Sequence, residues 1–425
     1  MEFKEYEKLL ACVHCGLCLP FCPTYRIFGR EQDSPRGRLY MIRSYAEGRI
    51  DMDEEFDEHI NLCLVCRACE SACPSNVKFG LIMEEARNLL EKNYKRGLKT
   101  KLYNWLIYRE IWPNPSRLRF TFKLMRLLQR LMLDKIAKKV KLLDAFPGKP
   151  SRFLDMVPII PDKFFNSGIF EPLGERRYKV GFLSGCIMGT LLSPINEATV
   201  RVLRANDCEV IVPDDQVCCG ALNSHSGYLD TAKEMAKRNI DAFLKYDLDA
   251  IIVNSAGCGA TMKEYKEILR DDEAYKDKAK DFSSKVKDLS EFLAQIPLNN
   301  NFGELKLRVT MQDPCHLIHG QKISIEPRKL LSMIPGIELE EMPFSDRCCG
   351  SAGNYFITHY DTSMQILDEK ISYLKLTKAQ AVIASNPPCY IQLKYGVKRS
   401  GLKMDVLHIA EVLDRAYKLG GVYQI

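Results

Sequence analysis

The chain has 425 residues, enough for two or three domains with cores of their own. Its apolar content is ordinary for a globular protein, no apolar run is long enough to span a bilayer, and Met1–Glu5 lack the apolar segment of a secretory signal. The net charge of +6 is too modest to indicate a nucleic-acid partner, whereas seventeen cysteines predict metal binding in a reducing, cytoplasmic compartment.

Two nearly identical cysteine runs open the chain, each with the spacing C-x2-C-x2-C-x3-C-P. Two-cluster bacterial ferredoxins have this spacing, and the fourth cysteine of each run binds the other cluster. The spacing predicts one [4Fe–4S] cluster on Cys12, Cys15, Cys18 and Cys73, and a second on Cys63, Cys66, Cys69 and Cys22. A disulfide framework would suit an exported chain, and a four-ligand zinc site leaves the third cysteine and the proline of each run unexplained.

Residues 1–95 are predicted to form an α-helical ferredoxin domain. Some forty residues separate the runs, and this insert has its own helix signal: Ser34 as the N-cap, Pro35 in the first turn and Gly48 as a stop. After the second run, residues 79–95 have the pattern of an amphipathic helix.

Residues 96–177 are predicted to be a basic helical region followed by a linker. Between Glu91 and Arg152 there are seventeen Lys or Arg against four Asp or Glu, and prolines at 113 and 115 interrupt the helical pattern. Apolar residues recur at helical spacing from Arg117 to Leu143, and residues 146–177 are rich in Pro and Gly. Two interpretations stay open: this helix packs on protein, or it lies on an anionic membrane surface with Lys135, Lys138, Lys139 and Lys141 supplying charge.

A second duplication follows. Residues 178–300 and 301–425 each contain a cysteine, then a Cys-Cys-Gly triplet, then another cysteine, and we call these units the first and second CCG domains. The first set is Cys186, Cys218, Cys219 and Cys258, and the second is Cys315, Cys348, Cys349 and Cys389. In both units a short apolar strand precedes each cysteine group and helical stretches lie between, which predicts a parallel α/β sheet with the thiols at the carboxyl ends of its strands.

Each CCG set has four thiols, which is enough to bind an iron–sulfur cluster or a zinc ion. A third interpretation is that the set forms a pocket that binds nothing. We predict one or two further iron–sulfur clusters here; adjacent cysteines are poorly spaced for a disulfide with each other. Cys208 fits neither set and is predicted to be a buried small apolar residue. The chain has no nucleotide-binding fingerprint, no P-loop and no HExxH motif, and we assign it no catalytic residue.

Together these motifs resemble the iron–sulfur subunit of glycolate oxidase and of FAD-linked D-lactate dehydrogenases. The likeness rests on both cysteine runs, on both CCG sets and on the specific segment Ser34-Pro35-Arg36-Gly37-Arg38, and it leaves out the basic helical region. The implied fold is an α+β multidomain chain, with an α-helical ferredoxin domain, a helical linker and two pseudo-repeated α/β CCG domains.

The resemblance implies an electron-transfer subunit of a 2-hydroxyacid dehydrogenase. Its partner would be an FAD-binding dehydrogenase subunit that oxidises glycolate or D-lactate, and its acceptor a quinone or another carrier, with the chain cytoplasmic or peripheral on the inner face of the membrane. The CCG domains also resemble heterodisulfide reductase, but positions three residues from Cys258 and Cys389 hold Ser255, Thr261, Asn386 and Gln392 instead of a fifth cysteine. Such a catalytic subunit, and the anchor subunit of anaerobic glycerol-3-phosphate dehydrogenase, are the alternatives.

Overall fold

The computed structural model describes residues 3–133, 135, 152 and 154–424. Its N-terminal part is helical, as predicted, with short loops that carry the cysteine runs. The α-helices here are α1 (Tyr6–Leu10), α2 (Pro23–Phe28), α3 (Pro35–Ala46), α4 (Glu54–Asn61), α5 (Ala68–Ser71) and α6 (Phe79–Asn93).

Helix α3 begins where the sequence predicts. The Ser34 side chain accepts a hydrogen bond from the Gly37 backbone N–H, and Pro35 occupies the first turn, where a missing N–H costs nothing. Its apolar side packs Leu39 and Ile42 into a core with residues of α4 and α6. The insert between the two runs is therefore part of the same small domain.

Two helices of the basic region follow. Helix α7 (Leu98–Trp105) continues into a π-helical turn (Leu106–Ile111), and α8 (Pro115–Arg130) starts after the predicted break. The remainder of the predicted helix to Leu143, with Lys138, Lys139 and Lys141, lies outside the described residues. No helix in the ranges described is both long and apolar enough to cross a membrane.

The CCG domains contain two sheets with the same strand order. The first is β1 (Gly168–Phe170), β3 (Cys208–Val212), β2 (Tyr178–Phe182), β4 (Ala250–Val253) and β5 (Val286–Asp288), parallel except for β1. The second is β7 (Ile337–Leu339), β6 (Leu307–Met311), β8 (Ala381–Ile383) and β9 (Asp405–Leu407), all parallel. Strands β2 to β5 thus correspond in order to β6 to β9, as a duplicated domain requires.

Helices cover both faces of these sheets. In the first CCG domain they are α9 (Ser193–Ala205), α10 (Ala221–His225), α11 (Leu229–Leu244), α12 (Ala256–Lys263), α13 (Tyr265–Ile268), α14 (Lys276–Lys285) and α15 (Leu289–Gln295). In the second they are α16 (Ile325–Ser332), α17 (Tyr355–Thr358), α18 (Tyr360–Leu374), α19 (Pro387–Arg399) and α20 (Ile409–Leu419).

One apolar core runs through both CCG domains. It includes Val180 and Phe182 of the first sheet, Val309 and Ile383 of the second, and Leu118 of α8. Helix α9 packs on α20, and Arg201 binds Asp414 across this contact with two hydrogen bonds of 2.7 and 3.0 Å. This ion pair adds to the shared apolar core in holding the two copies against each other.

The predicted strands that precede the cysteine groups are confirmed, but three strands were not predicted. Strand β1 lies in the segment interpreted as linker and pairs antiparallel with β3. Strands β5 and β9 have three residues each, and Lys287 and Asp405 interrupt their apolar pattern. Such short mixed segments become strands only because a neighbouring strand offers its edge.

His408 joins the two CCG domains. Its Nε2–H donates to the Asn254 carbonyl (2.9 Å), and its Nδ1 accepts from the Ala410 backbone N–H (3.1 Å). Both ring nitrogens are therefore satisfied in the neutral form, and burial lowers the His408 pKa from 6.5 to about 4. Since the folded state binds fewer protons than the unfolded state, stability falls as the pH drops from 6.5 towards 4.

We predict that His408→Asn flattens this pH dependence. Between about pH 7.5 and about pH 5.5, the native chain should lose about 1 kcal/mol more than the variant, because only the native chain must charge this ring on unfolding. Thermal unfolding followed by circular dichroism at both pH values measures the difference. An equal loss in the two proteins contradicts the assignment.

Candidate iron–sulfur sites

The two ferredoxin-type sets lie around two separate concavities of the N-terminal domain. One is lined by Cys12, Cys15, Cys18 and Cys73, and the other by Cys22, Cys63, Cys66 and Cys69, which are the two sets that the spacing predicts. Cys69 also borders the first concavity, so the two sites are adjacent. Two neighbouring thiol-lined hollows suit a pair of clusters that exchange electrons.

The two sites differ in exposure. Cys15 is exposed at the surface, whereas Cys66 and Cys69 are buried. Burial raises the pKa of the Cys66 and Cys69 thiols well above the ordinary range, with neighbouring cysteines adding to the effect. A bound cation reverses this because it replaces the thiol protons and compensates the thiolate charge. The donor set therefore fits a metal cluster.

The Ser34–Arg38 segment holds both cysteine runs in place. Arg38 is fully buried and donates to the carbonyls of Asp33 (2.6 Å) and His59 (2.8 Å), and to the Thr24 hydroxyl (3.1 Å). Thr24 lies just after the first run and His59 just before the second. Arg36 donates to the His14 carbonyl (3.2 Å) inside the first run. The sequence marked this segment as specific, and the structure supplies the physical reason.

The first CCG set lies at the carboxyl edge of its sheet. Cys186 follows β2, the Cys218–Cys219 pair follows β3 and Cys258 begins α12 after β4. The Cys186 and Cys218 sulfurs are 3.5 Å apart, and Cys219 interacts with both Cys218 and Cys258. Hydrogen bonds from the Cys186 and Cys219 thiols lower the pKa of Cys218, whereas the same contacts raise the pKa of Cys186 and Cys219.

The second CCG set repeats this arrangement. Cys315 contacts Cys348, Cys348 contacts Cys349, and Cys349 contacts Cys389. The glycine after each cysteine pair has a positive φ, +82° at Gly220 and +89° at Gly350. A Cβ at Gly350 would also lie 2.6 Å from the Ser363 carbonyl oxygen. Glycine is thus required by the backbone at this position.

The second ferredoxin-type set adjoins the second CCG set. Cys66, Cys315 and Cys348 pack in one small cluster together with Leu62 and Leu64. The His316 Nε2–H donates to the Val65 carbonyl (2.9 Å), which fixes the two cysteine-bearing loops against each other. The thiol sites are therefore neighbours in space although more than two hundred residues separate them in sequence.

Two of the positions that lack a fifth cysteine meet at the boundary between the CCG domains. Ser255 and Asn386 are equivalent in the repeat, and their side chains are 3.4 Å apart. The Asn386 side-chain oxygen Oδ1 also accepts from the Gly257 backbone N–H (3.1 Å), and its side-chain Nδ2–H donates to the Cys389 sulfur (3.4 Å). These two positions thus connect the domains and orient a thiol, roles that sequence reasoning did not foresee.

The described ranges contain no group of three or more His, Cys, Asp or Glu close enough to hold a single metal ion. The cysteine sets instead line concave pockets, as a multi-atom cluster requires. All seventeen cysteines are free, and Cys208, outside every set, is buried at the start of β3 and donates to the Asn206 carbonyl (3.3 Å).

A helical domain with two ferredoxin-type thiol sets, joined to two thiol-bearing α/β domains, defines an iron–sulfur electron-transfer protein. Family models match three parts of the chain: a 4Fe-4S dicluster domain (residues 8–77), the linker region of the glycolate oxidase iron-sulfur subunit (99–154), and a cysteine-rich domain twice (180–263 and 309–394). The basic region, which the motif resemblance left out, is thus part of the match.

The chain belongs to the glycolate oxidase iron–sulfur subunit family. It is 40% identical over 423 residues to a probable glycolate oxidase iron-sulfur subunit of Bacillus subtilis, covering 97% of this chain and 95% of that protein. The Escherichia coli glycolate oxidase iron-sulfur subunit is 32% identical, with the same coverage. The fold matches a crystal structure of a hypothetical protein from Helicobacter pylori with a TM-score of 0.56 at 9% identity, over 99% of this chain and 77% of that one.

Family membership makes the chain an iron–sulfur subunit that works with a partner subunit of an oxidoreductase. The individual ligands can be tested by iron content. Cys66→Ala should lose roughly four irons per chain, because one cubane then lacks a ligand. Cys208→Ala is the matched control and should keep all its iron. Iron and acid-labile sulfide are measured after anaerobic purification; equal iron in the two variants contradicts the ligand assignment.

Proposed function

We propose that this chain carries electrons within an FAD-linked 2-hydroxyacid dehydrogenase that oxidises glycolate or D-lactate. FAD and the substrate site belong to the partner subunit, and a quinone or another carrier accepts the electrons. The observation that carries this proposal is the continuous row of thiol sites, from exposed Cys15 through Cys66 to Cys315 and Cys348. Such a row suits single-electron steps between a flavin and a distant acceptor.

The exposed end of the row is the proposed entry point. Cys12, Cys15, Cys18 and Cys73 hold a [4Fe–4S] cluster there, and Cys22, Cys63, Cys66 and Cys69 hold the next, deeper one. One or two further clusters on the CCG sets continue the route. This order follows from burial, because an outside donor reaches only the exposed site.

An apolar patch around the first cysteine run is the proposed dock for the flavin subunit. Its members are large apolar side chains left exposed: Leu10, Val13, Leu17, Phe21 and Tyr40. Exposed apolar patches mark protein interaction sites, and a dock next to the exposed cluster keeps the electron-transfer distance short. The disulfide-reducing and glycerol-3-phosphate alternatives gain no comparable support.

We predict that Val13→Asp weakens assembly with the flavin subunit, because a charge would be buried in the interface. Tagged chain purified from its native host should carry FAD, and glycolate or D-lactate should bleach the visible absorbance of its clusters. In Val13→Asp both signals should fall at least about tenfold with unchanged iron content.

Leu376→Asp is the matched control, since both side chains are 68% exposed and Leu376 lies in the second CCG domain. If Val13→Asp retains as much FAD as the control, the proposed docking surface for the flavin subunit is wrong. Absence of any flavoprotein from the native preparation would remove the proposed function itself.

Helices α7 and α8 form the proposed contact with the membrane surface. Leu98, Leu102, Leu124 and Leu127 are exposed on these helices, with Lys99, Lys101 and Lys123 exposed beside them. Exposed apolar side chains among cations are the pattern of a helix that lies on anionic lipid. Of the apolar stripe that the sequence predicted, Leu118 and Phe122 pack into the protein core, whereas the exposed leucines on the same helices are the proposed lipid contact.

The membrane contact predicts binding to phosphatidylglycerol vesicles in a sedimentation assay, and weaker binding to phosphatidylcholine vesicles. Leu98→Gln with Leu102→Gln should reduce binding by about tenfold, since two apolar side chains no longer enter the interface. Ile325→Gln is the control, with a side chain 75% exposed on the second CCG domain. Equal sedimentation of both variants contradicts the lipid contact.

A further inference from the structure

A single cavity of about 710 Å³ lies between the ferredoxin domain, helices α7 and α8, and both CCG domains. All eight thiols of the two CCG sets line it: Cys186, Cys218, Cys219, Cys258, Cys315, Cys348, Cys349 and Cys389. The wall away from the thiols is largely apolar and includes Tyr108, Trp112, Phe122, Met125 and Met156. The volume is in the range of pockets that bind small molecules, so there is room for a ligand beside the thiols.

The cavity wall contains ring nitrogens without a hydrogen-bond partner among the described residues. They are Trp112 Nε1, His225 Nε2 and His316 Nδ1. His225 Nδ1–H donates to Glu84 (2.7 Å) and His316 Nε2–H donates to the Val65 carbonyl (2.9 Å). The free Nδ1 of His316 is therefore an acceptor, whereas the Trp112 indole is a donor.

This combination restricts the chemistry of the ligand. Leaving a buried donor unpaired is unfavourable, so the Trp112 N–H calls for a ligand with an acceptor such as a carbonyl oxygen. The His316 Nδ1 acceptor favours a ligand that can also present a hydroxyl. A quinone offers the carbonyls, and its reduced form, the quinol, offers the hydroxyls.

The ligand is also expected to be uncharged. The two cations in the wall, Arg87 and Arg96, are already bound within the protein: Arg87 to the backbone carbonyls of Cys63 and His225, and Arg96 to Asp57 and Glu91. Arg87 Nε lacks a partner, but the carboxylates of Asp57, Glu58 and Glu91 outnumber the two guanidinium groups in the described lining, which disfavours an anionic ligand. A neutral ring fits this wall better than an anionic disulfide or thiol substrate.

The cavity lies against the proposed membrane face. Tyr103 and Ile107, in α7 and the turn after it, and Thr121 and Met125 of α8 line the cavity. The same helices expose Leu98, Leu102, Leu124 and Leu127 on their outer surface. A ligand dissolved in lipid could therefore pass between these helices to the thiols.

We propose that this cavity binds a membrane quinone and is the place where it is reduced. The inference rests on the proposed function for the source of the electrons. The quinone takes two electrons, one at a time, from the iron–sulfur sites of the chain, and two protons from water, and both C=O bonds become C–OH. Trp112 is a binding residue that donates to a quinone carbonyl, and Met125 forms part of the wall.

The test uses the intact, cluster-loaded chain and decylubiquinone, without vesicles. Binding of the oxidised quinone is measured by equilibrium dialysis, and quinol formation is followed after the chain has been reduced with dithionite and freed of excess reductant. Met125→Trp fills the cavity, and Trp112→Phe removes the indole N–H while keeping an aromatic ring. Each variant should raise the quinone Kd by about tenfold or more. Met125→Trp removes the space for the ring, and Trp112→Phe removes a buried hydrogen bond.

Two controls match these variants. Trp105→Phe changes the other tryptophan of the chain, which does not line the cavity, and Ile325→Trp adds the same bulk at an exposed site. Both should keep the Kd within about twofold, with all four variants holding the same iron as the native chain. A Kd that is unchanged in both Met125→Trp and Trp112→Phe overturns the inference, as does an equal loss in the controls.

Dithionite replaces the flavin subunit in this test, so the two proposals fail separately. One outcome is that glycolate or D-lactate bleaches the clusters but the chain binds no quinone. This result would support the proposed function and contradict the quinone site. Quinone binding and reduction in a chain that has no flavoprotein partner would support the site and remove the proposed function.

Discussion

The fold depends on supplying hydrogen bonds to the backbone carbonyls of the cysteine loops, which are buried away from water. Cysteine loops expose carbonyls that helices and strands cannot satisfy, and two buried guanidinium groups bind them. Arg38 binds the carbonyls of Asp33 and His59, and Arg87 binds those of Ile60, Asn61 and Cys63, and of His225 in the first CCG domain. Because removing one partner of such a buried charged network costs about 3–5 kcal/mol, these two side chains support both the cluster geometry and the docking of the domains.

Duplication explains why the CCG thiols converge. Each copy alone brings four thiols to the edge of one sheet, and the shared core sets the two edges side by side around one cavity. Ser255 and Asn386, equivalent in the repeat, meet at the boundary. A cysteine at either position would remove a side-chain contact between the two CCG domains. The absence of a fifth cysteine therefore agrees with the direct contact of the domains at this point. The two copies therefore share one cavity.

Local signals in the sequence were sufficient for much of the fold. Ser34 and Pro35 predict the start of α3, and six apolar segments predict the strands before the cysteine groups, since capping and strand pattern act over a few residues. Strands β1, β5 and β9 escaped prediction because they depend on the neighbouring strand. The cysteine sets could be proposed from spacing, but Arg87, Trp112 and Asn386 could not, because their partners lie far away in sequence and no short motif marks them.

The arrangement of the sites gives the electron route a direction. An exposed cluster site beside an apolar patch suits a protein donor, whereas the CCG thiols line a cavity bordered by α7 and α8 and suit a small acceptor. Burial raises the pKa of the Cys66 thiol, and Cys66 lies at the junction between the two regions. A cluster at this junction would be shielded from water, so electrons would leave it through neighbouring sites instead of to solvent. Separating the docking surface for a large donor from the cavity for a small acceptor suits the proposed role in electron transfer.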